Sequence, residues 1–120
     1  MEPVRSGNKI LLVDNEADVT ITFKAILHDA GFIVDTYEDP LIALANFIPH
    51  FYDLVILDIG MPKMNGIKLS RQLLELDSNV KICFITAGEA NIEVLRDIEC
   101  FIRKPVTIDQ LVRRVQAELE

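Results

Sequence analysis

Four apolar runs in this chain are each followed at once by a side chain able to do chemistry. Asp14, Asn15 and Glu16 follow KILLV, Asp58 follows LVIL, Thr86 follows KICFI, and Lys104 follows CFIR. Brought together, they offer acidic groups, a hydroxyl and an ammonium. Carboxylates forced close repel and take up protons unless a cation joins them. Mg²⁺ suits that role, because it takes oxygen ligands and keeps several waters. A carboxylate beside it can attack a phosphoryl donor as a nucleophile. The transferred group then needs neutralising charge and a hydrogen bond, which Lys104 and Thr86 can supply.

The elements that would position these groups are legible in the hydrophobic pattern. Residues 9–13, 54–57 and 81–85 are near-continuous apolar runs, as expected of strands covered by helices on both faces. Residues 32–37 (FIVDTY) are more mixed and residues 100–102 form a very short run, so both fit edge strands. Helical periodicity lies between them. Val19, Phe23, Ile26 and Ala30 share a face, as do Leu41, Leu44, Ala45 and Ile48, and later Ile108, Leu111, Val112, Val115 and Leu119. A further helix is expected from about Asn65 to Leu76, and a short one between Glu89 and Ile98. The order βαβαβαβαβα implies an α/β fold: a parallel sheet with five helices on its two sides. Three buried and two edge strands suggest the order 2-1-3-4-5. In that order, ligands bind beyond the carboxyl ends of strands 1 and 3, where the winding reverses. Glu38 and Asp39 end strand 2, outside that point.

Composition narrows the reading. A chain of 120 residues, half hydrophobic, fits one domain. The expected division is a flexible tail over residues 1–8 and one domain over 9–120. No apolar run approaches a membrane span, and the first residues lack the apolar stretch of a signal peptide. A cytoplasmic location is therefore expected. A formal net charge of −7 argues against a nucleic-acid surface. Cys83 and Cys100 each sit in an apolar run, and buried reduced thiols are expected rather than a disulfide or metal site. His28 and His50 are distant in sequence and read as surface or helix residues. Met61 and Met64 read as packing.

The runs ILLVDNEADV, LVILDIGMPKMNG, FITAG and CFIRKP, in that order and over nearly the whole chain, resemble the receiver domains of two-component signalling. Each motif is weak alone, and four at this spacing are specific. The resemblance implies a flavodoxin-like, doubly wound five-stranded sheet and a phosphorylation-dependent switch. It implies that Asp58 is the phosphoacceptor, that Thr86 and Lys104 contact the phosphoryl group, and that Lys104–Pro105 is cis. Mg²⁺ would be held by Asp14, the residue at position 15, Asp58 and the carbonyl of Gly60. Phe101 would change rotamer together with Thr86. A histidine kinase or phosphotransfer protein would be the donor, and the face of the fourth helix, fifth strand and fifth helix would carry output to a downstream domain or protein.

Two departures stand out. Members of the family usually carry two adjacent acids after strand 1, and here the second is Asn15. Its amide oxygen can bind a hard cation but brings no charge. The site is then naturally weakened, or altered by an introduced change, or completed by Glu16. The last is the least expected, since Glu16 should point along the first helix. The second departure is length. Only the residues from Ala87 to Arg103 separate Thr86 from Lys104, about one helical turn fewer than the resemblance implies. The shortening falls on the fourth helix and leaves the output partner open.

Singly, these residues have plainer readings. Asp14, Asn15 and Asp18 can cap a helix, Asp58 can be a turn residue, and Thr86 can satisfy backbone. Lys104 can be a solvated charge, Phe101 a core aromatic, and Gly60 and Gly66 turn glycines. Gly60 would also leave room for water beside Asp58. Two rival functions compete. A pseudo-receiver would use the same fold as a binding module with weakened Mg²⁺ affinity. A haloacid-dehalogenase-type phosphatase would use Asp14 as nucleophile, but the chain is short for that fold and lacks its late acidic pair. A flavodoxin-type cofactor protein is disfavoured by the acidic loop after strand 1, and no Gly-rich nucleotide fingerprint is present.

Overall fold

The computed structural model describes residues 8–87 and 99–120. The tail and the helix expected between Glu89 and Ile98 lie almost wholly outside the described residues. Five strands form one parallel sheet: β1 (Lys9–Val13), β2 (Ile33–Tyr37), β3 (Leu54–Asp58), β4 (Lys81–Thr86) and β5 (Phe101–Arg103). Their order is β2-β1-β3-β4-β5, the order expected. Four helices are described: α1 (Ala17–Asp29), α2 (Pro40–Asn46), α3 (Gly66–Leu76) and α4 (Ile108–Leu119).

The central strands are apolar on both faces because each face meets its own core. Successive side chains alternate across a sheet. Ile10, Leu12, Leu54, Ile56 and Ile85 therefore pack toward Phe23 and Leu27 of α1 and Leu111 and Val115 of α4. Leu11, Val13, Val55, Leu57 and Phe84 pack on the other face with Ala43, Leu69 and Leu73. Each such fully buried aliphatic side chain contributes roughly 1.5–3 kcal/mol relative to exposure. No helix among the described residues is long and apolar enough to cross a membrane.

Side-chain caps fix three helix starts. Asp39 accepts from the Leu41 N–H ahead of α2, and Asn65 from the Lys68 N–H ahead of α3. Thr107 and Gln110 form a reciprocal capping box at α4. Residue 16, the N-cap of α1, makes no such side-chain bond.

Three expectations are corrected. In α1 Phe23 is buried and Val19 and Ile26 pack against the core as expected, joined by buried Thr20 and Leu27, while Ala30, beyond the helix end, is exposed. In α2 the buried residues are Pro40 and Ala43, whereas Leu41 and Ile48 are 45% and 52% exposed. That helix has only seven residues and ends at Asn46, so Ile48 cannot extend its face. Phe47, just past the helix, turns inward instead. The third correction concerns the cysteines. Phe84 pairs with Phe101, which sets Cys83 of β4 beside Cys100, the residue just before β5, with Cα atoms 4.6 Å apart, and the two are joined as a disulfide. The reduced-thiol reading failed because each cysteine was judged in its own run, without the register between the runs.

Candidate functional site

The sheet delivers the chemistry to one edge. Asp14 directly follows β1 and Asp58 ends the adjacent β3, where Val13 pairs with Leu57. Thr86 ends β4, one residue beyond Ile85, the partner of Asp58. Thr86 also pairs with Arg103, and its carbonyl accepts from the Lys104 N–H at 2.8 Å. Lys104 thus leaves β5 at the level of Thr86, and its bond to Pro105 is cis, as the resemblance implied.

Asp14 has no exposed surface and is held from two sides. One carboxylate oxygen accepts the Glu16 N–H at 2.9 Å, and the other accepts from Lys104 Nζ at 2.9 Å. Asp14 therefore braces the loop instead of capping α1. Lys104 Nζ also lies 3.4 Å from Glu16 Oε1. Asp58 is 5% exposed and accepts one long bond, 3.3 Å, from the Gly60 N–H. One ligand atom from each of Asp14, Glu16 and Asp58 lies within 4.8 Å of the others.

These surroundings shift the titration of the site. Burial pushes the Asp58 carboxyl above its ordinary value, and the charge of Asp14 adds to the rise; Lys104 and the Gly60 N–H oppose it. Burial alone would pull the Lys104 ammonium down. The hydrogen bond and charge of Asp14, with the charges of Asp58 and Glu16, outweigh it and hold the group above its ordinary value.

Two glycines lie close to Asp58 in the fold. A Cβ on Gly60 would meet nothing within 4 Å, so that position has room for a side chain. Gly66 is more than a turn residue. A Cβ there would overlap the carbonyl oxygen of Asp58, and its N–H donates to the Ile59 carbonyl at 3.0 Å. Glycine lets the first turn of α3 pack directly on the backbone at the end of β3.

Asp14, Asp58 and Lys104 thus come together as expected, with Thr86 at the adjoining strand end. Asn15 is exposed. Phe101 is half-buried against the cluster that holds Phe84, with the Arg103 guanidinium 5.9 Å from its ring centre. His50 is exposed beside Asp77, just past the end of α3, and takes no part in the site. Sequence reasoning undervalued Glu16 and Gly66. The signal for Gly66 was its place directly after the helix-capping Asn65, with Asp58 eight positions upstream; its tight approach to Asp58 is a tertiary fact.

The comparisons agree on one family. Residues 10–116 match the family model of the response regulator receiver domain. A CpxR homolog of Haemophilus influenzae, named a transcriptional regulatory protein, is 33% identical over 93% of this chain and 50% of its own length. The transcriptional regulatory protein PrrA of Mycobacterium leprae is 30% identical over 95% of this chain and 51% of its own. The chain spans about half the length of these relatives. Among solved structures, the non-phosphorylated HemR receiver domain from Leptospira biflexa superposes with a TM-score of 0.84 at 26% identity, covering 93% of this chain and 94% of the other. CheY in the CheX-CheY-BeF3-Mg complex from Borrelia burgdorferi gives a TM-score of 0.78 at 28% identity, covering 91% and 87%.

Proposed function

This chain belongs to the response regulator receiver domains of two-component systems, and from that premise we propose that it is a cytoplasmic signalling switch that accepts a phosphoryl group on Asp58 in the presence of Mg²⁺. The observation that carries this reading is the arrangement at Asp58. Among the described residues, the buried Asp58 carboxylate accepts one long hydrogen bond and faces a second buried carboxylate that is already engaged twice. Asp14 is thereby tied down as a brace, and Asp58 is the oxygen nucleophile left to react. This distinction disfavours the phosphatase reading, in which Asp14 would attack.

The residues fit Mg²⁺. The donors are all oxygen, and Asp58 is raised first by burial and then by the charge of Asp14, both of which a bound cation would offset. We assign Asp14, Asp58 and the Gly60 carbonyl as ligands; Asn15, with a neutral amide, is at most an auxiliary one. When bound, the ion supplies charge neutralisation for the incoming phosphoryl group.

The chain's own groups do the rest. An Asp58 carboxylate oxygen forms a bond to phosphorus as the bond from phosphorus to the donor breaks. The leaving group is the imidazole of a phosphohistidine on a kinase or phosphotransfer protein, or acetate from acetyl phosphate. Lys104, held beside the site by Asp14 and Glu16, turns its ammonium to the phosphoryl oxygens, and the Thr86 hydroxyl donates to another. Movement of Thr86 leaves room that Phe101 fills, which carries the change to the β5 and α4 face and to an output partner there. The acidic chain makes no direct nucleic-acid contact in this reading. Phosphorylation shifts the balance of states only as far as it favours one of them.

The test is intact mass after incubation with acetyl phosphate, with and without Mg²⁺. One added phosphoryl group that needs Mg²⁺ and disappears in Asp58→Ala is the expected result. Labelling that survives in Asp58→Ala would sink the assignment, and no labelling of the wild-type chain would favour the pseudo-receiver.

A further inference from the structure

The loop after β1 carries one acid fewer than the resemblance implies, yet the site holds three carboxylates. We propose that Glu16 supplies the carboxylate that Asn15 lacks, so that Asp14, Glu16 and Asp58 form the anionic donor set for Mg²⁺. This inference rests on the Mg²⁺ reading above and adds a ligand to it.

Three observations carry it. The first is backbone conformation. Glu16 is the N-cap of α1 with φ −94° and ψ 115°, an extended residue ahead of the helix. Its side chain therefore leaves the chain before the helical turn begins and does not run along α1. The second is placement. Glu16 Oε1 reaches Lys104 Nζ, which also bridges to Asp14, and a Glu16 oxygen shares the 4.8 Å cluster with Asp14 and Asp58. Asp14 itself stabilises this placement by accepting the Glu16 N–H. The third is chemistry. The resemblance implies two acids after β1 and the phosphoacceptor, and Asp14, Glu16 and Asp58 restore that number of charges. Asn15 is exposed and adds none.

Glu16 is 59% exposed and one methylene longer than aspartate, so it is free to trade Lys104 for a metal ion. Ordering that longer arm opposes binding. The site should therefore be competent but weaker than one with an acid at position 15. In the same step Lys104 loses a partner and becomes available to a phosphoryl group.

Calorimetric titration of the purified chain with MgCl₂ alone, without phosphodonor, tests this directly, and Mn²⁺ titration followed by electron paramagnetic resonance provides a second readout. Glu16→Gln is expected to weaken binding by about fivefold or more, Asn15→Ala to change it by less than about twofold, and Asn15→Asp to tighten it, since ligand charge sets affinity for hard cations. A ligand's contribution persists when ionic strength is raised, whereas that of a distant charge is screened. If Asn15→Ala weakens binding and Glu16→Gln does not, or if the Glu16→Gln effect vanishes in high salt, the proposal is overturned while the Mg²⁺ reading stands. If the wild-type chain takes up no ion, or Asp58→Asn binds as well as wild type, the Mg²⁺ reading itself falls and takes the proposal with it.

Discussion

The β1–β3 pair and the β4–β5 pair solve opposite problems with the same geometry. Both set two parallel strands side by side, and both bring two reactive side chains together. At β1 and β3 the pair is Asp14 and Asp58, which repel and are held by Lys104, a backbone N–H and the surrounding fold. At β4 and β5 the pair is Cys83 and Cys100, which bond covalently deep in the core. One flank stores electrostatic tension where a ligand can relieve it. The other ties down a strand of only three residues that pairs on one side alone, with β4. Parallel pairing is neutral as to function; the chemistry of the paired side chains decides whether a flank is poised or anchored.

That contrast can be broken most strongly at the disulfide. Cys83 and Cys100 are 17 residues apart in sequence, and a crosslink over such a loop is worth about 3 kcal/mol in the chain-entropy description. Reduction, or Cys83→Ser with Cys100→Ser, should lower the urea midpoint by an amount corresponding to about that loss. An unchanged midpoint would show that β5 needs no anchor.

The next effect lies on the other flank. Gly66→Ala should destabilise the fold by about 2 kcal/mol, because the added methyl must displace backbone and not a pliable side chain. It should also perturb the Asp58 amide in NMR spectra. A neutral Gly66→Ala would mean that α3 slides freely away from β3.

The smallest effect tests the burial of Asp58 together with its repulsion by Asp14. Because the Asp58 carboxyl is raised above its ordinary 3.8, the folded state holds that proton more tightly than the unfolded chain does. Its stabilising contribution is full below 3.8 and is lost as pH rises through the raised value. Without metal, the stability of Asp58→Asn relative to wild type should therefore increase over that rise. A flat difference between the two pH profiles would show that neither burial nor the charge of Asp14 raises Asp58 in the folded state.

Most of the sheet was legible because a strand covered on both faces must be apolar at nearly every position, as KILLV, LVIL and KICFI are. Asp14, Asp58 and Thr86 were legible for a related reason: each is the first polar residue after such a run, Lys104 follows one residue later, past Arg103, and parallel strands carry those ends to one edge. What escaped depends on distances between segments. The disulfide follows from the register of Phe84 with Phe101, which no single run contains. Glu16 was expected to lie along α1, but it precedes the helix and its extended backbone sends it to Lys104. The face of α2 was misjudged because so few residues specify a period poorly, and Phe47 enters the core from beyond the helix end. Gly66 looked like any loop glycine until the backbone of Asp58 was found against it.

The contact at Gly66 also bears on where motion can arise. The first turn of α3 rests on the main chain of Asp58 without an intervening side chain, and Leu69 and Leu73 anchor the same helix in the core. The proposed phosphoacceptor is thus a fixed jaw, whose backbone cannot shift without dragging a whole helix. In the proposed reading, a conformational response would then be taken up by the other jaw, through Thr86 and Phe101 on the neighbouring strands β4 and β5 and Lys104 just beyond them.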